Sequence, residues 1–192
     1  WTQRILDANG ETADPTLLAS AYRGISSLSW NRGDFDAAVA FAAKGLKIAH
    51  ETGEKKLIIN ALHSVGTAKH NKGDFAGAQK FFEDALAMAR EAGETFEAAE
   101  LANALGELAR HREDYSAAQR LYEETLLLAR QNGFQHLNML AAINLAAVAC
   151  EMKDYQASHE HTLEQTKLRE DEGSSSSAVN APDRSDATAA TD

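Results

Sequence analysis

The chain has 192 residues, with 19 Lys and Arg against 29 Asp and Glu, one Cys, two Pro and 7% aromatics. A single Cys excludes an intrachain disulfide. The net charge of −10 argues against a nucleic-acid surface, which needs clustered Lys and Arg, and against a basic membrane-surface helix. With 37 Ala, and Pro at positions 15 and 182 alone, nearly the whole length is open to helix, so an all-α protein is expected. The longest nearly apolar run, Met139 to Cys150, falls short of the roughly 20 residues a spanning helix needs. A soluble protein is expected, and one unpaired Cys without a secretory signal pattern favours the cytoplasm.

In chain order, residues 1–10 read as the tail of a preceding repeat or an N-terminal cap, because Ile5 and Gly10 fall as Ile48 and Gly53 do. Asp14 and Pro15 open a helix over 15–31, with Pro at a first helical position where its missing N–H costs nothing. Gly33-Asp34-Phe35 makes a tight turn into a second helix over 35–51, closed by Gly53. The pattern then returns every 40 residues. Gly73-Asp74-Phe75, Glu113-Asp114-Tyr115 and Lys153-Asp154-Tyr155 repeat the turn, and Gly93, Gly133 and Gly173 repeat the closing glycine. Helices are therefore expected at 55–71, 75–91, 95–111, 115–131, 135–151 and 155–171. Four 40-residue units fill residues 11–173, and the Ser, Ala, Thr and Asp-rich stretch 174–192 reads as a disordered tail.

The recurring Asp has a local explanation. An Asp just before a helix accepts from unpaired backbone N–H groups and faces the positive end of the dipole, a contribution of about 1 kcal/mol. Asp34, Asp74, Asp114 and Asp154 are thus N-caps rather than catalytic acids, and Gly53, Gly93 and Gly133 are left-handed C-caps. Ser26, Gly66, Gly106 and Ala146 share one register, where small residues let two helix backbones approach closely.

These units resemble the tetratricopeptide repeat, a helix-turn-helix motif with small and large residues at set offsets. The second unit carries the resemblance best, with Leu62, Val65, Gly66, Gly73, Phe75, Ala78, Phe82 and Ala85. The third repeats it with Leu105, Gly106, Tyr115, Ala118 and Tyr122. The motif is usually about 34 residues long and closes on Pro. Here each unit is longer and closes on Gly, a form similar to repeats of large bacterial transcription activators, signalling ATPases and animal scaffold proteins that orient the spindle. The aromatic expected late in the first helix of each unit is replaced by Ser29, Lys69, Ala109 and Ala149. The resemblance implies an all-α, right-handed α-α superhelix (solenoid) of four helix pairs that binds a peptide, helix or protein domain on its concave face.

The register of the first helices selects the residues on that face. They are Arg23, Ser27, Trp30 and Asn31, then Asn60, His63, Thr67, His70 and Asn71, then Glu100, Asn103, Glu107, Arg110 and His111. Asn amides carry both donor and acceptor for a partner's main chain, Arg23, Arg110 and the histidines can meet an acidic group, and Trp30 is a candidate hot spot. A plain solvated helical face fits the same residues. In the fourth unit the corresponding positions are Leu140, Ile143, Ala147 and Cys150, while Ala142, Leu145 and Ala146 face the core. A helix apolar all round is covered on both sides, which points to a partner or a second copy of the chain at this patch, a homodimer through the C-terminal repeat.

Catalysis finds little support. No His-Glu-x-x-His motif is present, every repeated Gly is accounted for by a turn, and Cys150 on the most apolar helix reads as a buried small hydrophobe rather than a nucleophile. No catalytic residue, cofactor or metal is expected; an enzyme with a metal at His63, His70 and His111 is the weakest alternative. The stronger alternative is a ligand- or peptide-sensing segment of a bacterial transcription or signalling regulator. The expected partner is a protein or peptide, with no direct nucleic-acid contact and no membrane.

Overall fold

The computed structural model describes residues 14–152 together with Leu163, Glu164 and Lys167. Residues 1–10, Asp154, His159 and His161 of the eighth expected helix, and the tail 174–192 lie outside the described residues. Within them run seven helices and no strand: α1 (Pro15–Asn31), α2 (Phe35–Thr52), α3 (Lys55–Lys72), α4 (Phe75–Ala92), α5 (Thr95–His111), α6 (Tyr115–Asn132) and α7 (Gln135–Glu151). Each expected start is met and each end agrees to within one residue. The chain is an all-α solenoid in which every helix packs on the next, and α1, α3, α5 and α7 also lie side by side.

Turns of two or three residues hold this arrangement, and a single Asp serves both sides of three of them. The backbone N–H groups of Asp34, Asp74 and Asp114 donate back to the carbonyls of Ser29, Lys69 and Ala109 at 2.9–3.0 Å, closing the outgoing helix. Their side chains accept from Ala37, Gly77 and Ala117 at 2.9–3.0 Å, opening the incoming one. Asp14 caps α1 through the Thr16 N–H. Gly53, Gly93 and Gly133 close the other turns at φ of 69°, 72° and 72°.

The core is a ladder of small residues at one register, Ala38, Ala78 and Ala118, and another at Ala49, Ala89 and Ala129, all buried. Gly66 and Gly106 work differently from the close backbone approach expected of them. A Cβ on Gly66 would stand 2.4 Å from the Phe82 ring, and one on Gly106 would stand 2.6 Å from the Tyr122 ring. Each glycine thus seats an aromatic ring from the second helix of its own pair. In the first pair the larger Ser26 faces the register of Ala42, and its hydroxyl donates to the Ala38 carbonyl at 2.8 Å. The two positions trade volume, as close packing requires.

Two expectations on α7 are corrected. Ala142 and Leu145 are buried as expected, but Ala146 is half-buried and Cys150 is exposed. Cys150 occupies the register of Trp30, His70 and Arg110, at the open rim rather than in the core, so its helix's apolar composition misplaced it.

Candidate functional site

A 40-residue period places equivalent positions of α1, α3, α5 and α7 on one face. Arg23, Ser27, Trp30 and Asn31 of α1, with Asn60, His63, Thr67 and Asn71 of α3 and Glu100 of α5, line a cavity of about 420 Å³. A second cavity of about 300 Å³ shares His63, Thr67, Asn71 and Glu100 and adds His70, Asn103, Glu107 and Leu140. The shared residues join the two into one channel running from α1 to α7. Trp30 is 43% exposed at the α1 end.

Some expected site residues stand elsewhere or are already engaged. Arg110 donates to Glu151 at 2.9 Å across to α7. The His111 ring is exposed and stacks on Phe75 at 5.2 Å, and the His70 ring meets both edge-on, 5.4 Å from Phe75 and 5.7 Å from His111. His63 instead meets the Phe82 ring edge-on at 5.7 Å. His63 therefore does not join the other two histidines, and among the described residues no three His, Cys, Asp or Glu side chains are placed to hold a metal. Asn103 is a further correction: at 5% exposure it lies in the channel floor. Its Nδ2 donates to Glu107 at 3.0 Å, and its Oδ1 accepts from Asn144 at 2.8 Å. It braces α5 against α7 instead of offering its amide to a partner. Leu140 is half-buried and lines the channel rather than a separate patch, whereas Ile143 is 43% exposed, Ala147 half-buried and Cys150 exposed.

The electrostatics of the channel centre follow from partial burial. Burial, aided by the positive Arg23 guanidinium, pushes His63 down to about 4, so its ring is neutral at pH 7. Its Nδ1 stands 3.9 Å from Glu100 Oε2, too far for a hydrogen bond. Burial, and then the Glu97 carboxylate, hold the Glu100 carboxyl above its ordinary range, against the pull of Arg23 and His136. The amides of Asn60 and Asn71 make no hydrogen bond among the described residues.

Register alone missed Ser64, Ala104, His136, Leu137 and Phe82 as lining residues. Phe82 had a readable signal, since a glycine inside a helix at Gly66 leaves room for a ring from the neighbouring helix. His136 and Leu137 enter from the first turn of α7, ahead of Leu140, the first position the register selects on that helix.

Two family models, each described as the tetratricopeptide repeat, match residues 17–91 and 101–135. No curated protein sequence matches. Among solved structures, BtubC (BKLC) from P. vanneervenii aligns at TM-score 0.75 and 23% identity, over 100% of this chain and 78% of its own. Aspartyl phosphate phosphatase F from Bacillus subtilis aligns at TM-score 0.76 and 12% identity, over 84% of this chain and 42% of that one. A signal transduction ATPase with numerous domains from Pyrococcus horikoshii, described as having a tetratricopeptide repeat sensor, aligns at TM-score 0.72 and 16% identity. There the match covers 82% of this chain and 25% of that one. At these identities the likeness is one of fold. No helix among the described residues is long and apolar enough to cross a membrane.

Proposed function

Because this chain carries tetratricopeptide repeats over residues 17–91 and 101–135, we propose that it is a non-catalytic protein-interaction module whose channel along α1, α3, α5 and α7 receives a peptide, helix or protein domain. The observation that carries this reading is the channel itself. Arg23 and Trp30 of α1 and Asn60 and Asn71 of α3 face one continuous opening, and their polar groups are not used up within the fold. An exposed aromatic, Trp30, flanked by amides that bond to nothing else among the described residues is the makeup of an interface hot spot. Fold alone names no partner.

The test compares partner capture by the wild type with capture by a Trp30→Ala, Asn71→Ala double variant. Asn103→Ala is avoided because it would break the Asn144–Asn103–Glu107 chain. Partner recovery falling at least tenfold with an unchanged helical melt supports the channel, and equal recovery by both proteins refutes it. The second reading is a sensor segment of a larger signalling regulator, favoured by the likeness to a protein described as having such a sensor. On that reading the same channel holds the signal peptide or small ligand.

A further inference from the structure

Arg23 and Glu100 face the same cavity from α1 and α5, the helices on either side of α3. They form no ion pair with each other, and among the described residues Arg23 meets no carboxylate within 4 Å. Glu100 has His63 as its near neighbour, and that ring is uncharged at neutral pH. Elsewhere among the described residues several facing charges are paired. Lys56 reaches Glu94 and Glu97, Arg90 reaches Glu124, and Arg110 reaches Glu151, all at 2.5–2.9 Å. A half-buried carboxylate left without a cation is a desolvated charge that a ligand can satisfy. Between the two charges α3 presents the amide of Asn60, at the register of Glu100 and within a turn of that of Arg23, and it is not engaged; Asn71 stands about three turns further along α3.

Resting on the channel reading above, we infer that the occupant is an extended peptide segment bearing both charges: a carboxylate seated on Arg23 and, further along, a Lys or Arg side chain seated on Glu100. Its main chain crosses α3 at Asn60. The two charges fix which charge lies at each wall, because the opposite placement would set like against like at both walls. They also exclude a uniformly acidic tail, which Glu100 and Glu107 would repel.

The probe is a set of fluorescent nonapeptides with blocked ends in a Ser-Ala host, carrying one Glu and one Lys separated by one to five residues, beside matched peptides with two Glu or two Lys, read by anisotropy at low salt. The mixed-charge peptides are expected to bind at least tenfold more tightly than the like-charge ones. Arg23→Glu and Glu100→Lys should each weaken that binding at least tenfold, Arg23→Glu turning the preference to the two-Lys peptides and Glu100→Lys to the two-Glu ones, and the double variant should restore mixed-charge binding. Equal binding of mixed- and like-charge peptides, indifference to the two single variants, or no binding by any member of the set overturns the inference. Thr67→Arg, at the channel centre, separates this failure from that of the parent reading. If it abolishes a binding that ignores the charge variants, the channel stands and the charge pattern falls; if binding survives it, both fall.

Discussion

Glu113 has a backbone φ of 61°, the one positive value at a non-glycine among the described residues. It stands where Gly33 and Gly73 take φ of 80° and 88° in the earlier pairs. The turn between α5 and α6 is the same turn, so the tertiary arrangement imposes a left-handed conformation on a residue with a Cβ, at a cost of about 1–2 kcal/mol. Glu113→Gly removes that strain and loses some of the gain to a more flexible unfolded chain. A net stabilisation of about 1 kcal/mol is expected in chemical denaturation. Gly106 is the opposite case, a glycine that must stay. A helix-interior Gly→Ala exchange ordinarily stabilises by about 0.5–1 kcal/mol, but here the added Cβ meets the Tyr122 ring at 2.6 Å. Gly106→Ser should therefore destabilise by about 1–3 kcal/mol. Combining it with Tyr122→Ala reproduces the Ser26 and Ala42 pairing of the first unit, and the double variant should be more stable than the sum of the two single effects. Denaturant midpoints of all four proteins measure that coupling.

His63 makes stability depend on pH. The unfolded ring takes its proton near 6.5, the folded ring near 4, so between those values the folded state binds fewer protons. This contribution is full above pH 6.5 and is lost as pH falls toward 4, by up to about 1.4 kcal/mol per pH unit. Glu100, whose folded carboxyl is held above its ordinary range, acts in the opposite sense and reduces the slope. His63→Gln should flatten the fall in melting temperature across that window while leaving the melt at pH 7.5 little changed.

Helices α5 and α7 carry the same kind of sequence but meet different surroundings. In α5 nearly every face is covered, with ten buried residues including Glu97 and Asn103. In α7 Leu137, Ala141, Ala142, Leu145, Val148 and Ala149 are buried, while Ile143 and Cys150 are exposed on the far side. A second copy of the chain, or a partner, seated on Ile143 is the proposal that α7 supports. Under it, Ile143→Asp should convert a dimer to a monomer in light scattering, without lowering the helical melt by more than a few degrees. A wild type that is monomeric at high concentration would sink it.

The molecule as a whole is a stack rather than a ball, and its stability is a sum over neighbours. Leu17 and Leu28 of α1 are exposed, whereas Leu137, Leu108 and Val148, at the same registers of later pairs, are buried by the pair before them. The middle of the stack therefore has more to lose on opening than its first helix. Amide exchange should be slowest in α5, with Leu101 and Leu105 protected most, and at least tenfold faster in α1. Uniform protection from α1 to α7 would show a single cooperative unit instead.

By itself the sequence determined nearly all of the one-dimensional order. The period of 40, the Asp caps and the closing glycines place every described helix to within a residue, because caps and turns are settled by contacts only a few positions apart. It also placed Arg23, Trp30, Asn60, His63 and Asn71 on one face, since a constant period keeps register. Tertiary structure decided what those residues have to spend. Asn103 is consumed by Asn144 and Glu107, Arg110 by Glu151, and His111 by Phe75, while Arg23 and Glu100 are left unpaired across the channel. Those outcomes turn on ångström distances between helices some 40 residues apart, which no local pattern encodes. Charge composition showed the same division: the balance of −10 argued against nucleic acid, but only the fold sets one arginine and one carboxylate on opposite walls of a single cavity.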